Sequence, residues 1–133
     1  MALIVLDTDV VSRHRAGRLP AGAARHLVAN DISIAFATAG ELWKWALSRR
    51  WGSTRRGGLD LWLAEATIIQ AGLAEAQVWG AITTAAQRRG RPRPLNDAWI
   101  AACCVESRLP LLTLNRRDFA DFAEHDGLVL LGA

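Results

Sequence analysis

The chain has 133 residues, of which 51% are hydrophobic and 22% charged. That length suits one domain, since domains usually run to about 100–150 residues, and the apolar content can build a buried core, which excludes intrinsic disorder. No apolar stretch approaches the ~18 residues that suggest a membrane span. Met1-Ala2-Leu3-Ile4-Val5-Leu6 is too short for a signal-peptide core and runs straight into Asp7. Cys103 and Cys104 are the only cysteines, and an adjacent pair cannot frame a disulfide network, so a reducing cytoplasm is expected.

The net charge is +3, and Lys44 is the only lysine among 16 basic residues. A GC-rich genome alone can favour arginine in this way. The arginines are nevertheless grouped: Arg13, Arg15 and Arg18; Arg49, Arg50, Arg55 and Arg56; Arg88, Arg89, Arg91 and Arg93; Arg116 and Arg117. Guanidinium forks match phosphate oxygens in pairs, which makes a polyanion a candidate partner.

In chain order, residues 2–6 form a continuous apolar run, the pattern of a strand buried on both faces. It stops at Asp7-Thr8-Asp9. Ala21 to Asn30 reads as a helix and Ile32 to Phe36 as a second buried strand. Thr38 opens a helix with Leu42, Trp45 and Ala46 on one face. Gly52 and Gly57-Gly58 are expected to divide the next stretch into a helical hairpin over about 38–65, with Leu59 to Ala64 as its second arm. Thr67 to Gln70 is a third strand, and Leu73 to Arg89 a long helix closed by Gly90. Pro92 and Pro94 keep residues 91–94 extended. Leu95 to Ser107 is a helix apolar nearly all round, hence buried. Leu111 to Thr113 is a fourth strand, Arg116 to Phe122 a short helix and Leu128 to Leu131 a last strand. Non-alternating strands separated by helices predict a single α/β domain over 1–133. It is a three-layer sandwich whose mainly parallel sheet of four to five strands has helices on both faces.

In such a sheet the carboxyl edge of the strands is where ligands bind. Four acids map there: Asp7 at the end of the first strand, Glu41 in the first turn after the second, Asp97 at the head of the buried helix, and Asp118 after the fourth strand. Each also has a purely structural reading. Thr38 to Glu41 has the pattern of a capping box, Asn115 to Asp118 nearly does, Asp97 could complement a helix dipole, and Asp7 could cap a turn. Four carboxylates brought within a few ångströms would repel, with raised pKa values, unless a cation neutralised them. All-oxygen ligands select a hard ion, Mg²⁺ or Mn²⁺. His14, His26 and His125 are scattered and suggest no zinc site, and neither a GxSxG elbow nor a P-loop is present. Adjacent cysteines in an apolar helix read as core packing.

These residues resemble the PIN-domain ribonucleases, specifically the VapC type of toxin from bacterial type II toxin–antitoxin systems. LIVLDTDVVS is similar to the family's first motif, ATAGEL to its second, and PLNDAWIAACCVESRLPLLTLNRRDF to the third and fourth joined. The resemblance spans nearly the whole chain, and its last block is the most specific. It implies a PIN-like fold and an Mg²⁺- or Mn²⁺-dependent endoribonuclease leaving 5′-phosphate and 3′-hydroxyl ends. Asp7, Glu41, Asp97 and Asp118 would form the catalytic and metal-binding set. Thr8 and Thr113 would orient carboxylates or water. One departure is Asn115, where some members have Asp; Asn is a weaker ligand, and Asp9 could compensate. Arg13, Arg15, Arg91, Arg93 and Arg116 are the candidate RNA contacts. The resemblance also implies an RNA substrate, a cognate antitoxin inserting a segment near the active site, a homodimer, and no membrane.

Six tryptophans stand in a chain without tyrosine. Trp45, Trp79 and Trp99 are expected in the core. Trp43, Trp51 and Trp62 are harder to bury in a hairpin rich in Arg, Ser and Gly. They are candidates for antitoxin binding, with Arg49, Arg50, Arg55 and Arg56 pairing its acids; the alternative is that the rings close the hairpin against its own domain. A haloacid-dehalogenase-like phosphatase is the rival enzyme class, because Asp7-Thr8-Asp9-Val10 has its first spacing. Its downstream lysine is missing, however, and Asp97 precedes Thr113, which is the wrong order. A non-catalytic RNA- or protein-binding module with a vestigial acidic site is the remaining alternative.

Overall fold

The computed structural model describes residues 2–132; Met1 and Ala133, the ends of the expected 1–133 span and of the N-terminal run, lie outside them. Five strands, β1 (Leu3–Leu6), β2 (Asp31–Ala35), β3 (Thr67–Ile69), β4 (Leu111–Leu112) and β5 (Leu130–Leu131), form one sheet in the order β3-β2-β1-β4-β5. Every pairing is parallel. The helices are α1 (Thr8–Arg15), α2 (Ala21–Ala29), α3 (Phe36–Ser48), α4 (Ser53–Glu65), α5 (Leu73–Arg88), α6 (Leu95–Ser107) and α7 (Arg116–His125).

Why the strands do not alternate in polarity is visible in the core. Ile4, Leu6, Ile34 and Leu112 face a cluster completed by Val10 and Val11 of α1, Ala23 of α2, Leu42 and Ala46 of α3 and Leu59 of α4. Val5, Ala35 and Leu111 point the other way, into a cluster built by α5, α6 and α7 with Phe119 and Phe122. Successive side chains leave a strand on opposite faces, so a sheet covered twice needs apolar residues at every position. As expected, α6 is buried along most of its length, Cys103 and Cys104 included.

The chain runs outward from β1 to β2 and β3, then returns to place β4 on the other side of β1. Connections leaving β1 and β4 therefore diverge to opposite faces, opening a crevice at their carboxyl ends, the usual ligand position in an open parallel sheet. The register Leu6↔Leu112 sets Asp7 beside Thr113, and the Asp7 N–H donates to the Leu112 carbonyl at 2.9 Å.

Three local expectations need correction. The local sequence pattern gives no sign of helix α1: it is rich in polar and β-branched residues, but Asp7 caps it and Val10 and Val11 are fully buried. Gly57 and Gly58 lie inside α4 rather than breaking it, because burial of Leu59 and the packing of Trp62 and Leu63 outweigh the ~1 kcal/mol that glycine costs relative to alanine in a helix. The break falls at residues 49–52, where Arg50 adopts a left-handed conformation (φ 53°). Finally, α3 starts at Phe36, two residues before Thr38, and its N-cap Ala35 has only a methyl group and makes no side-chain capping hydrogen bond. Thr38 and Glu41 thus form no capping box.

Candidate active site

Asp7, Thr8, Asp9, Glu41, Asp97, Asn115 and Asp118 line one cleft of about 100 Å³ at the carboxyl ends of β1 and β4, with Trp45 at its side. The cleft unites residues from α1, α3, α6 and α7, spread over more than a hundred positions of chain.

Asp7 is buried, and both its oxygens are held. Oδ1 accepts from the Thr8 N–H at 2.8 Å, and Oδ2 accepts from the Thr113 hydroxyl at 2.8 Å. Capping α1 and serving the cleft are thus one role, not alternatives. Thr113 is itself fully buried, and its hydroxyl accepts from the Asn115 N–H at 2.9 Å, so its proton is directed to Asp7. Thr8 Oγ1 lies 2.7 Å from Glu41 Oε1 and 3.1 Å from Thr38 Oγ1. A carboxylate can only accept, so the one Thr8 proton goes to Glu41 and Thr38 donates to Thr8. Glu41 is therefore held into the cleft by a chain of two buried threonines. Thr38 was legible only as a capping pattern; its link to Thr8, thirty positions away, depends on α1 packing against α3. Asn115 Nδ2 donates to Asp9 Oδ2, orienting that carboxylate. Neither Asp118 nor Asn115 provides a side-chain cap for α7.

The electrostatics reflect carboxylates without counter-ions. Burial pushes Asp7 up to about 6, against hydrogen bonds from Thr113 and Thr8 that lower it, and Asp9 and Glu41 add to the rise. Asp97 is pushed up to about 7, first by burial and then by Asp7, Asp118 and Glu41, with Arg93 opposing. Among the described residues, none of the cleft's carboxylates forms an ion pair. The donor set, all oxygen and net negative, fits a hard divalent cation. The crowding is looser than the sequence suggests: among the described residues no three acidic, His or Cys side chains stand together as a ready ligand set.

The other candidates scatter. Of the proposed RNA contacts Arg13 borders the site, in an adjoining cleft with Asp9 and Trp45, and Arg93 lies near enough to Asp97 to act on its charge. Arg15 is half-buried toward Gly58 and Arg55. Arg91 lies near Asp121, Arg93 lines a separate cavity with Trp79 and Leu95, and Arg116 donates to the Leu131 carbonyl at 3.0 Å. Trp43, Trp51 and Trp62 are half-buried against the α1–α4 core, the alternative in which the rings close the hairpin against its own domain, with Arg55 stacked 3.8 Å over Trp51. Their rings lie flat on a core that α3 and α4 share, which the local composition does not reveal. Arg49, Arg50, Arg55 and Arg56 are exposed. Trp45, Trp79 and Trp99 are half-buried rather than fully so; Trp79 and Trp99 stack at 4.9 Å.

No helix among the described residues is long and apolar enough to cross a membrane. No curated protein matches the chain. Among solved structures, a chain of VapBC2 from Rickettsia felis, bound to a DNA fragment from their promoter, has a TM-score of 0.81 at 20% identity, covering 97% of this chain and 97% of that one. VapBC-1 from nontypeable Haemophilus influenzae gives 0.81 at 19%, covering 97% and 96%. VapBC-5 from Mycobacterium tuberculosis, of the VapBC family of toxin-antitoxin systems, gives 0.74 at 21%, covering 100% of both. At these identities the likeness is one of fold. The sequence profile of the PIN domain matches residues 4–125, and with the parallel sheet and its acidic crevice already in view, the chain belongs to the PIN-domain family.

Proposed function

We propose that this chain is a metal-dependent endoribonuclease, the toxin of a toxin–antitoxin pair, cleaving RNA to leave 5′-phosphate and 3′-hydroxyl ends. The observation that carries the reading is the meeting of Asp7, Glu41, Asp97 and Asp118 in one cleft where β1 and β4 end. Asp7 and Asp97 would hold Mg²⁺ or Mn²⁺, with Glu41 and Asp118 completing the shell or holding water. Such an ion, when bound, would neutralise the incoming phosphodiester and lower the pKa of a bound water. The chain's own residues do the rest. Thr113 fixes the Asp7 carboxylate, Thr8 and Thr38 fix Glu41, and Asn115 orients Asp9. Asp97, near half-protonation around neutrality, would release its proton as a cation arrives.

The solved structures of this fold include VapBC toxin–antitoxin complexes, which supports a cognate antitoxin as partner. Arg50, Arg55 and Arg56 remain exposed for its acids, while Trp43, Trp51 and Trp62 would contribute only their outer edges. We also infer a homodimer in the cytoplasm. The test of function is incubation of the partner-free protein with total and transfer RNA in Mn²⁺, Mg²⁺ or EDTA, beside Asp97→Asn. Metal-dependent cleavage that the folded variant loses is expected. Hydrolysis of p-nitrophenyl phosphate without RNA cleavage would overturn it in favour of a phosphatase; RNA binding without cutting would leave a vestigial site.

A further inference from the structure

A second cleft, of about 410 Å³, opens beside the acidic one and shares Asp9 and Trp45 with it; its other walls are Ser12, Arg13, Arg18 and Arg49. Two helix ends build it. At the end of α1, Gly17 turns left-handed (φ 70°), its N–H donates to the His14 carbonyl, and the Arg18 N–H donates to the Arg13 carbonyl at 2.8 Å. This Schellman closure fixes the backbone of Arg18 against that of Arg13. At the end of α3, Arg50 turns left-handed in the same way, with the Trp51 N–H donating to the Ala46 carbonyl at 2.9 Å, and Arg49 caps the helix. The Arg49 guanidinium then lies 4.9 Å from the centre of the Trp45 ring, which keeps it over the cleft.

Arginine at a helix end complements the dipole, and one helix would explain one such residue. It does not explain why arginines at the ends of two helices line one cleft. Among the described residues none of Arg13, Arg18 and Arg49 has an ion-pair partner or a side-chain hydrogen bond. We propose that this cleft is a phosphate subsite for the RNA strand, holding the backbone phosphate next to the one that enters the acidic cleft. The inference rests on the nuclease reading and deepens it. A phosphodiester chain suits the paired clefts, because its anions recur at a regular spacing: one comes to the cation-bridged carboxylates, the next to the arginines. An acidic peptide would meet the arginines but carries no phosphate for a cation to bridge to the carboxylates alongside. This assigns Arg18, and moves Arg49 from an antitoxin contact to a substrate contact.

The experiment compares Arg18→Gln/Arg49→Gln with Arg25→Gln/Arg88→Gln, which removes the same charge from exposed positions outside the cleft. Binding of a short single-stranded RNA is followed by fluorescence anisotropy in EDTA, across a salt series, with circular dichroism to verify folding. Loss of two charge-assisted phosphate contacts is expected to weaken binding about tenfold or more and flatten the salt slope by about 1.4, while the control pair changes both far less. Equal effects in the two pairs, no effect in either, or no RNA binding at all would overturn the subsite. So would arginine-dependent binding of a poly-glutamate peptide in place of RNA, which would mark a protein-docking surface. Because binding is read without metal, failure of wild-type protein to cleave RNA in Mg²⁺ or Mn²⁺ sinks the nuclease reading separately.

Discussion

Replacing Asp97 by asparagine is expected to make the metal-free protein more stable at alkaline pH. In the folded chain the Asp97 carboxyl is pushed from an ordinary 3.8 to about 7. Roughly three pH units at 1.36 kcal/mol each set a ceiling of about 4 kcal/mol. The side chain is only half-buried, so screening by water and salt reduces this to about 2 kcal/mol. Proton counting gives the sign. The unfolded chain releases this proton near pH 4 and the folded chain near 7; between the two the folded state binds more protons, so stability falls as pH rises, and it levels off above about 7. Asparagine removes the whole contribution. In EDTA, urea unfolding should therefore find the variant equal to wild type at or below about pH 4 and about 2 kcal/mol more stable at about pH 8. Mg²⁺ should reverse the order at alkaline pH, since an ion at a hundredfold excess over its Kd adds about 2.7 kcal/mol to the chain that binds it. A variant no more stable than wild type at alkaline pH in EDTA, or a difference that does not shrink toward acid pH, would refute the idea that Asp97 is an uncompensated anion.

Particular contacts set three further outcomes. Thr113→Val deletes the buried hydroxyl that donates to Asp7 and accepts from the Asn115 N–H; a charged hydrogen bond contributes about 1.5–3 kcal/mol, so Asp7 should rise a further one to two pH units from about 6, moving the acid limb of the cleavage pH profile upward. Arg50→Gly relieves a left-handed non-glycine residue and should raise urea-unfolding stability by up to about 1 kcal/mol, with cleavage unchanged. Arg89 bonds Asp121 at 2.6 Å and Asp126 at 3.3 Å, joining the end of α5 to α7. Arg89 holds Asp121 below the ordinary carboxylate range, so the clamp's contribution is present at neutral pH and lost as pH falls through that lowered value. Arg89→Gln should lower the Tm at neutral pH and bring it nearer the Tm in strong acid.

The sequence by itself determined the layers. Non-alternating runs such as residues 2–6 require a sheet covered on both faces, an almost wholly apolar Leu95–Ser107 requires a buried helix, and four acids at strand and helix ends select one edge of the sheet. These readings rest on periodicity, which reports locally how many sides of an element are buried. Tertiary structure decided what lies beside what. The order β3-β2-β1-β4-β5 sets Asp7 against Thr113, and α1 against α3 lets Thr8 hold Glu41. Arg91, Arg93 and Arg116, read together as RNA contacts, part company, whereas Arg13, Arg18 and Arg49 line one cleft. Composition likewise left open whether Trp43, Trp51 and Trp62 face a partner or close on their own domain, which the core that α3 and α4 jointly extend beneath them decides. Such pairings arise because loop closure and core packing join segments whose local patterns carry no record of their neighbours.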